Sequence, residues 1–249
     1  MDLGSNTWTD AAAAGTNLAL LPVGSTEQHG PHAPLSTDTL LAEAVAAAGA
    51  DAYDGEVVVA PTLPYGVSEE HRRFAGTLWL SPDAFRAAVR DVVGGLCHHG
   101  FRRVVLVNGH GGNVDALAEV AAAITREEAA YVVPFTWFRS VDFEAVAADA
   151  GVEAVAMGHA GAAETSILRA THPDLVREER VEDARDGGAE RWGEWVEGVN
   201  LAYDADEFSE NGAVGDPSTG DAALGDALLA AAGEALAEVL SAVADREID

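Results

Sequence analysis

Lysine is absent from all 249 residues, so the 14 basic side chains are all arginine, set against 42 aspartates and glutamates for a formal net charge of −28. The absence removes Schiff-base catalysis and the lysine of a nucleotide-binding P-loop. So few basic side chains cannot form a phosphate-neutralising face, which excludes nucleic acid as a partner. Cysteine is nearly missing too: Cys97 alone permits neither an intrachain disulfide nor a cysteine-rich zinc site. Within "GGLCHHG" it reads as a buried structural thiol near a helix end. No uninterrupted apolar run reaches the roughly 18 to 20 residues of a membrane span, and no basic segment followed by an apolar one opens the chain. The expectation is a cytoplasmic protein without a membrane partner. Acidic residues are spread through almost every segment instead of forming one tail, which reads as a surface adapted to high salt, a halophile's signature.

With 48% hydrophobic residues, the chain can bury a full core, and one domain over 1–249 is expected. Four short, β-branched, apolar segments predict strands covered on both faces: "LALLPV" (18–23), "EVVVA" (56–60), "RVVLV" (103–107) and "AYVVPF" (130–135). Helical stretches lie between them. One has Thr37 as cap and runs out near Gly49; another has Ser81 as cap, Pro82 in its first turn and Gly100 after its end. Two more are expected at about 113–129 and 221–244. Such alternation predicts an α/β fold with a mostly parallel central sheet and helices on both sides. Residues 183–220, glycine-rich and acidic with Trp192 and Trp195, read as a long loop, a lid or an oligomer contact.

Three motifs fall where strands end, the edge at which such sheets bind ligands. "LPVGSTEQHGPHAPLSTD" (21–38) crowds Glu27, His29, His32 and Asp38 onto a broken loop. "NGHGGN" (108–113) places His110 in a glycine-rich turn, and "GHAGAAETS" (158–166) carries His159 and Glu164 at a helix start. Taken singly, each has a plainer reading: Asp38 or His159 as a helix cap, Glu164 as a surface carboxylate, the glycine turn as a phosphate cradle in a non-catalytic binding protein. Together, Glu27, His29, Asp38, His110 and Glu164 supply two imidazoles and three carboxylates. That set suffices for two divalent metal ions sharing a bridging carboxylate.

With "YGVSEEHRRFAGTLWLSP" (65–82) added, the motifs and their order resemble the creatininase family of metal-dependent amidohydrolases. The resemblance implies a three-layer α/β/α fold, a homohexamer, and metal binding by Glu27, His29, Asp38 and His110, with Asp38 the bridge. It makes His159 the proton-transfer residue and Ser68, His71 and Gly111 substrate-binding candidates. The implied cofactor is zinc, manganese or iron, two ions per chain. The implied reaction is cleavage of a non-peptide amide C–N bond in a small molecule by a metal-activated hydroxide. The chain departs from the creatinine-hydrolysing pattern at Gly111 and Gly112, where those members carry an aromatic residue and a metal-binding glutamate. Glu164 is expected to replace that ligand. Members with two glycines there include a deformylase of a formylaminopyrimidine nucleotide in archaeal flavin and deazaflavin synthesis, and a peptidase that trims a redox-cofactor precursor. Both remain alternatives.

Overall fold

The computed structural model describes residues 1–127, 129–152 and 155–248. Its centre is a parallel sheet of β1 (Leu18–Val23), β2 (Val58–Val59), β3 (Arg103–Asn108) and β4 (Tyr131–Thr136), in the order β2-β1-β3-β4. Side chains alternate between its faces as the pleat requires. Val104 and Leu106 join Phe85, Val89, Leu117 and Ile124 on one side. Val105 and Val107 join Leu41, Val45, Ile167 and Leu236 on the other. This is the expected arrangement of a sheet covered on both faces.

The covering helices are α1 (Trp8–Ala12), α2 (Thr37–Ala52), α3 (Pro82–His98), α4 (Val114–Arg126), α5 (Trp137–Ser140), α6 (Phe143–Ala150), α7 (Ala162–Thr171), α8 (Val181–Asp186) and α9 (Ala222–Asp245). Ser81 caps α3 by accepting from the Ala84 N–H at 3.3 Å, with Pro82 in the first turn. Cys97 is buried in the cluster beneath α3, as a structural thiol should be. Three boundaries differ from expectation. Helix α2 continues through Gly49 to Ala52, because the missing side chain at Gly49 lets Leu236 of α9 pack directly on it. The 56–60 segment pairs with β1 only at Val58 and Val59, since it lies at the edge of the sheet, its outer side covered by a single bridge from Asp2 to Val59. Helix α4 begins at Val114, after a 3-10 turn over Gly111–Asn113. Helix α9 is long and apolar enough to cross a membrane by length and composition alone. It is packed into this fold instead: Leu228, Ala232, Leu236 and Leu240 are buried with α2 and α7.

The topology fixes where a ligand can enter. The chain leaves β1 towards β2 on one side and then places β3 on the other, so the connections after β1 and β3 diverge. In-register pairing of Val23 with Asn108, and of Asn108 with Thr136, brings the strand ends to one edge. That edge is a switch point of the kind that opens a crevice in parallel sheets. Residues 183–220 fold over it through backbone hydrogen bonds between His159 and Val214, at 3.0 and 2.7 Å. Within this cover a small hairpin, β5 (Trp195–Val196) and β6 (Val199–Asn200), turns at Glu197 and Gly198, both with positive φ.

Candidate metal centre

The loop after β1 delivers Glu27 and His29, the first turn of α2 delivers Asp38, and the turn after β3 delivers His110. Glu164 comes from the first turn of α7, with His159 just before it. Every one of these side chains is buried, Glu27 and His29 completely. His29 Nε2 lies 3.1 Å from Asp38 Oδ1 and 3.8 Å from Glu164 Oε2. His110 Nδ1 lies 3.1 Å from Glu27 Oε1 and 3.2 Å from Asp38 Oδ2. Asp38 therefore offers one oxygen to each imidazole. Ala160, in the left-handed region at φ 54°, donates its N–H to Glu164 Oε2 at 2.6 Å and so holds that carboxylate towards the cluster.

The backbone decides which ring nitrogens face inward. A carbonyl only accepts, so each imidazole nitrogen beside one must carry a proton. His29 Nδ1 donates to Glu27 O at 3.3 Å, His110 Nε2 to Val67 O at 2.8 Å, and His159 Nε2 to Gln28 O at 2.7 Å. Each ring is left with a bare nitrogen turned to the carboxylates. His71 is oriented the opposite way. The two amide protons of Gln28 go to the Gly212 carbonyl at 3.0 Å and to His71 Nδ1 at 2.8 Å. His71 Nε2–H then points at Glu27 Oε1, 3.3 Å away. His71 thus turns an N–H towards the cluster where the other three rings present lone pairs, although it closes no hydrogen bond to Glu27.

Bare nitrogens beside carboxylate oxygens repel unless a proton or a cation lies between them. Both oxygens of Glu27, His29 Nε2 and Asp38 Oδ2 are buried without a hydrogen-bond partner among the described residues. The titration behaviour shows the same demand. Burial alone would lower His29, but Asp38, Glu164 and Glu27 hold it up at about 9, and carboxylates likewise raise His110 well above its usual value. Burial pushes Glu27 and Glu164 up to about 7. Asp38 stays well below the usual range, because the imidazoles of His29 and His110 outweigh its burial. His159 is lowered well below its usual value by burial and by the neighbouring rings of His29 and His71, so it stays neutral. Three donor groups have atoms within 4.8 Å of one another: Glu27, Asp38 and His110; His29, His159 and Glu164; Glu27, His71 and His159. Imidazole nitrogens fixed by backbone carbonyls and mixed with carboxylate oxygens fit a divalent cation.

A cavity of about 580 Å³ opens onto this cluster. Asp38, His71, His110 and Gly111 line it together with the apolar side chains of Phe138, Met157 and Trp192, the last in edge contact with His71 at 5.4 Å between ring centroids. Gly111 faces open space, whereas a side chain at Gly112 would strike the Val67 carbonyl, so position 112 supplies no ligand. Ser68 does not fill its expected place. It is fully buried, accepts from Ser25 Oγ at 3.0 Å and is absent from the cavity wall, which leaves its hydroxyl no route to a substrate. His32, crowded into the same opening motif, lies outside the cluster. Its Nε2 contacts Thr165 Oγ1 at 2.9 Å, which ties the loop to α7. Trp192, noted in the sequence as part of the 183–220 segment, lines the cavity, whereas residue types alone did not single out Gln28 or Glu70. The only signal was proximity: Gln28 sits between Glu27 and His29, and Glu70 beside His71.

Comparison with known proteins agrees with this geometry. The family described as creatinine amidohydrolase matches residues 5–240. The chain belongs to the creatininase family. The mycofactocin precursor peptide peptidase of Mycolicibacterium smegmatis is 38% identical over 234 residues, 92% of this chain and 83% of that protein. Creatinine amidohydrolase of Pseudomonas putida is 33% identical over 198 residues, 73% of this chain and 75% of that protein. The crystal structure of a creatininase superposes with a TM-score of 0.82 at 26% identity, covering 99% of this chain and 98% of the other. A mutant creatininase of the zinc–zinc type superposes with the same TM-score at 25% identity, covering 98% of each chain. The family's three-layer fold is therefore the fold of this chain, and the chain is a hydrolase of a family that acts on amide bonds.

Proposed function

We propose that this creatininase-family chain hydrolyses an amide of a peptide or peptide-derived molecule, using two divalent ions, zinc, manganese or iron, held by Glu27, His29, Asp38, His110 and Glu164. One observation carries the reading: His29, His110 and His159 each anchor one nitrogen on a backbone carbonyl and turn the other onto a buried carboxylate, and within this cluster His29 Nε2, both Glu27 oxygens and Asp38 Oδ2 are left without a hydrogen-bond partner among the described residues. When bound, such ions polarise an amide carbonyl and let water ionise near neutral pH. The chain's own groups do the rest. Asp38, with one oxygen towards each imidazole, suits the bridging position. His71 places an N–H 3.3 Å from Glu27, and Gln28 holds His71. His159, neutral and with Nδ1 facing the cluster, accepts a proton there and passes it to the departing nitrogen. Its Nε2–H bond to the Gln28 carbonyl steadies the cation formed in between.

The motifs put a non-peptide amide first, with a formylaminopyrimidine-nucleotide deformylase or a cofactor-precursor peptidase as the alternatives. We reverse that order. The peptidase relative matches more of the chain at higher identity than the creatinine hydrolase does, and Gly111 with apolar walls leaves room for a larger substrate. A small cyclic amide remains the second reading, favoured by the Pseudomonas putida relative. Elemental analysis of the purified protein, followed by assay of creatinine and of short peptides with apolar residues, tests both levels. One to two metal equivalents and peptide cleavage are expected. A protein that takes up no metal in high salt overturns the mechanism; creatinine turnover without peptide cleavage restores the original order.

A further inference from the structure

Glu70 belongs to neither the proposed metal set nor the proton path, yet its carboxylate lines the cavity. It stands on the 3-10 turn Glu69–His71, next to the residue whose N–H points towards Glu27. Its carboxylate has no arginine within ion-pair distance among the described residues. Arg72 and Arg73, which follow on the same turn, both reach away to Asp204, at 2.7 and 3.9 Å. The nearest cationic candidate, His110 Nε2, is 3.7 Å away and already donates its proton to the Val67 carbonyl. The side chain is only 22% exposed, so water solvates it incompletely. A carboxylate in that setting is costly unless something brings it hydrogen-bond donors.

Glu70 packs closely on the backbone of Gly112, and the open space lies beside it at Gly111. A side-chain carbon at Gly112 would lie 2.7 Å from Glu70 Oε1, and Gly111 has nothing near its missing side chain. Phe138, Met157 and Trp192 supply apolar wall to the same cavity. Glu190 and Arg191 also line the cavity, but Arg191 is not within ion-pair distance of Glu70. An anion beside apolar walls complements a cation attached to an apolar body, and charge-assisted hydrogen bonds are roughly twice as strong as neutral ones.

We infer that Glu70 is the receptor for a protonated amine on the substrate, so that the amide cleaved at the metal cluster belongs to a molecule carrying an ammonium group beside an apolar side chain. This deepens the proposed amide hydrolysis and rests on it. It gives the cavity a polarity: ammonium at Glu70, apolar group against Phe138 and Trp192, scissile carbonyl towards Asp38 and His110.

The test uses two probes without a scissile bond, so turnover cannot confuse it: 2-phenylethylamine, protonated at neutral pH, and 2-phenylethanol, its neutral analogue. Both are titrated calorimetrically into the zinc-loaded full chain in molar salt, for wild type, Glu70→Gln and Glu70→Asp. Wild type should prefer the amine by about tenfold or more, the usual worth of a hydrogen bond to a charged group. Glu70→Gln should abolish the preference at unchanged zinc content, and Glu70→Asp should retain part of it. The inference is overturned if wild type binds neither probe or binds both equally. It is equally overturned if the preference survives Glu70→Gln, which puts the amine elsewhere, or if Glu70→Gln loses zinc, which makes Glu70 a ligand. A wild type that takes up no zinc defeats the hydrolase reading separately, and the probe preference is then measured on the metal-free chain.

Discussion

His159 and Glu164 lie five residues apart and differ in what holds them. Glu164 is pinned by the Ala160 N–H with its carboxylate beside His29, whereas His159 is pinned at Nε2 and turns a neutral nitrogen inward. Glu164→Gln should therefore lower metal content together with activity, since a neutral amide is a poor partner for a dication. His159→Ala should leave metal content near wild type and reduce turnover by roughly 10²- to 10⁴-fold, the usual contribution of a general acid–base. Metal analysis and turnover on both variants decide it: loss of metal in His159→Ala would make the histidine a ligand. Gln28→Leu, which leaves His71 Nδ1 without its donor, should weaken metal affinity by roughly 10- to 100-fold, as removing an orienting partner usually does. Competition with a chelator measures this. Titration gives a further expectation. His29, at about 9 in the fold against 6.5 otherwise, stabilises the metal-free protein fully below pH 6.5 and loses that contribution as pH rises through 9. Glu27 and Glu164, raised from 4.5 to about 7, act in the same direction up to pH 7. Metal binding requires the same protons to leave. The gap in Tm between zinc-loaded and chelated protein should therefore widen from pH 6.5 to 9; a constant gap would contradict the assignment.

The cluster forms only if the turn after β3 approaches the start of α2 closely. Gly109 makes that approach possible: an added side-chain carbon there would strike the Asp38 carbonyl oxygen and lie 3.1 Å from its carbonyl carbon. Backbone gives way less easily than a flexible side chain. Gly109→Ala should separate His110 from Asp38, cost about 1–3 kcal/mol as overpacking does, and lower metal content. For a chain of this size that cost is a fall of several degrees in Tm. Thermal unfolding with metal analysis checks both effects, and a variant with wild-type zinc content would show that the two segments need not touch so closely.

Across the whole molecule, the charge of −28 resists any assembly of identical subunits in dilute salt. The cover over the cavity nevertheless exposes Trp195, Val196, Val199, Leu201 and Tyr203 within one short stretch. An apolar patch of this kind on an acidic surface marks an interaction face. We expect the chain to form an oligomer, a hexamer by family resemblance, held by such apolar contacts when salt screens the acidic repulsion; the Debye length is only about 3 Å at 1 M. Light scattering on stepwise desalting should show dissociation. A monomer at every salt concentration would remove the oligomer and leave the hairpin without this role.

The sequence by itself determined the four strands of the central sheet, the helices α2, α3, α4 and α9 that cover it, and the candidate donors Glu27, His29, Asp38, His110 and Glu164, which the fold brings together. Strand and helix periodicity is local, and a glycine-rich turn directly after an apolar strand announces the ligand-binding edge whatever the remaining chain does. The tertiary structure decided what local chemistry could not. Which nitrogen of His110 faces inward depends on the carbonyl of Val67, and the orientation of His71 depends on Gln28, itself held by Gly212, 184 positions further along. Ser68 and Glu70 sit two residues apart in one motif, yet one hydroxyl is sealed against Ser25 while the other side chain reaches the cavity. These outcomes follow from the register in which segments distant along the chain meet at the edge of the sheet, and a hydrogen bond, unlike a hydrophobic pattern, depends on both partners at once.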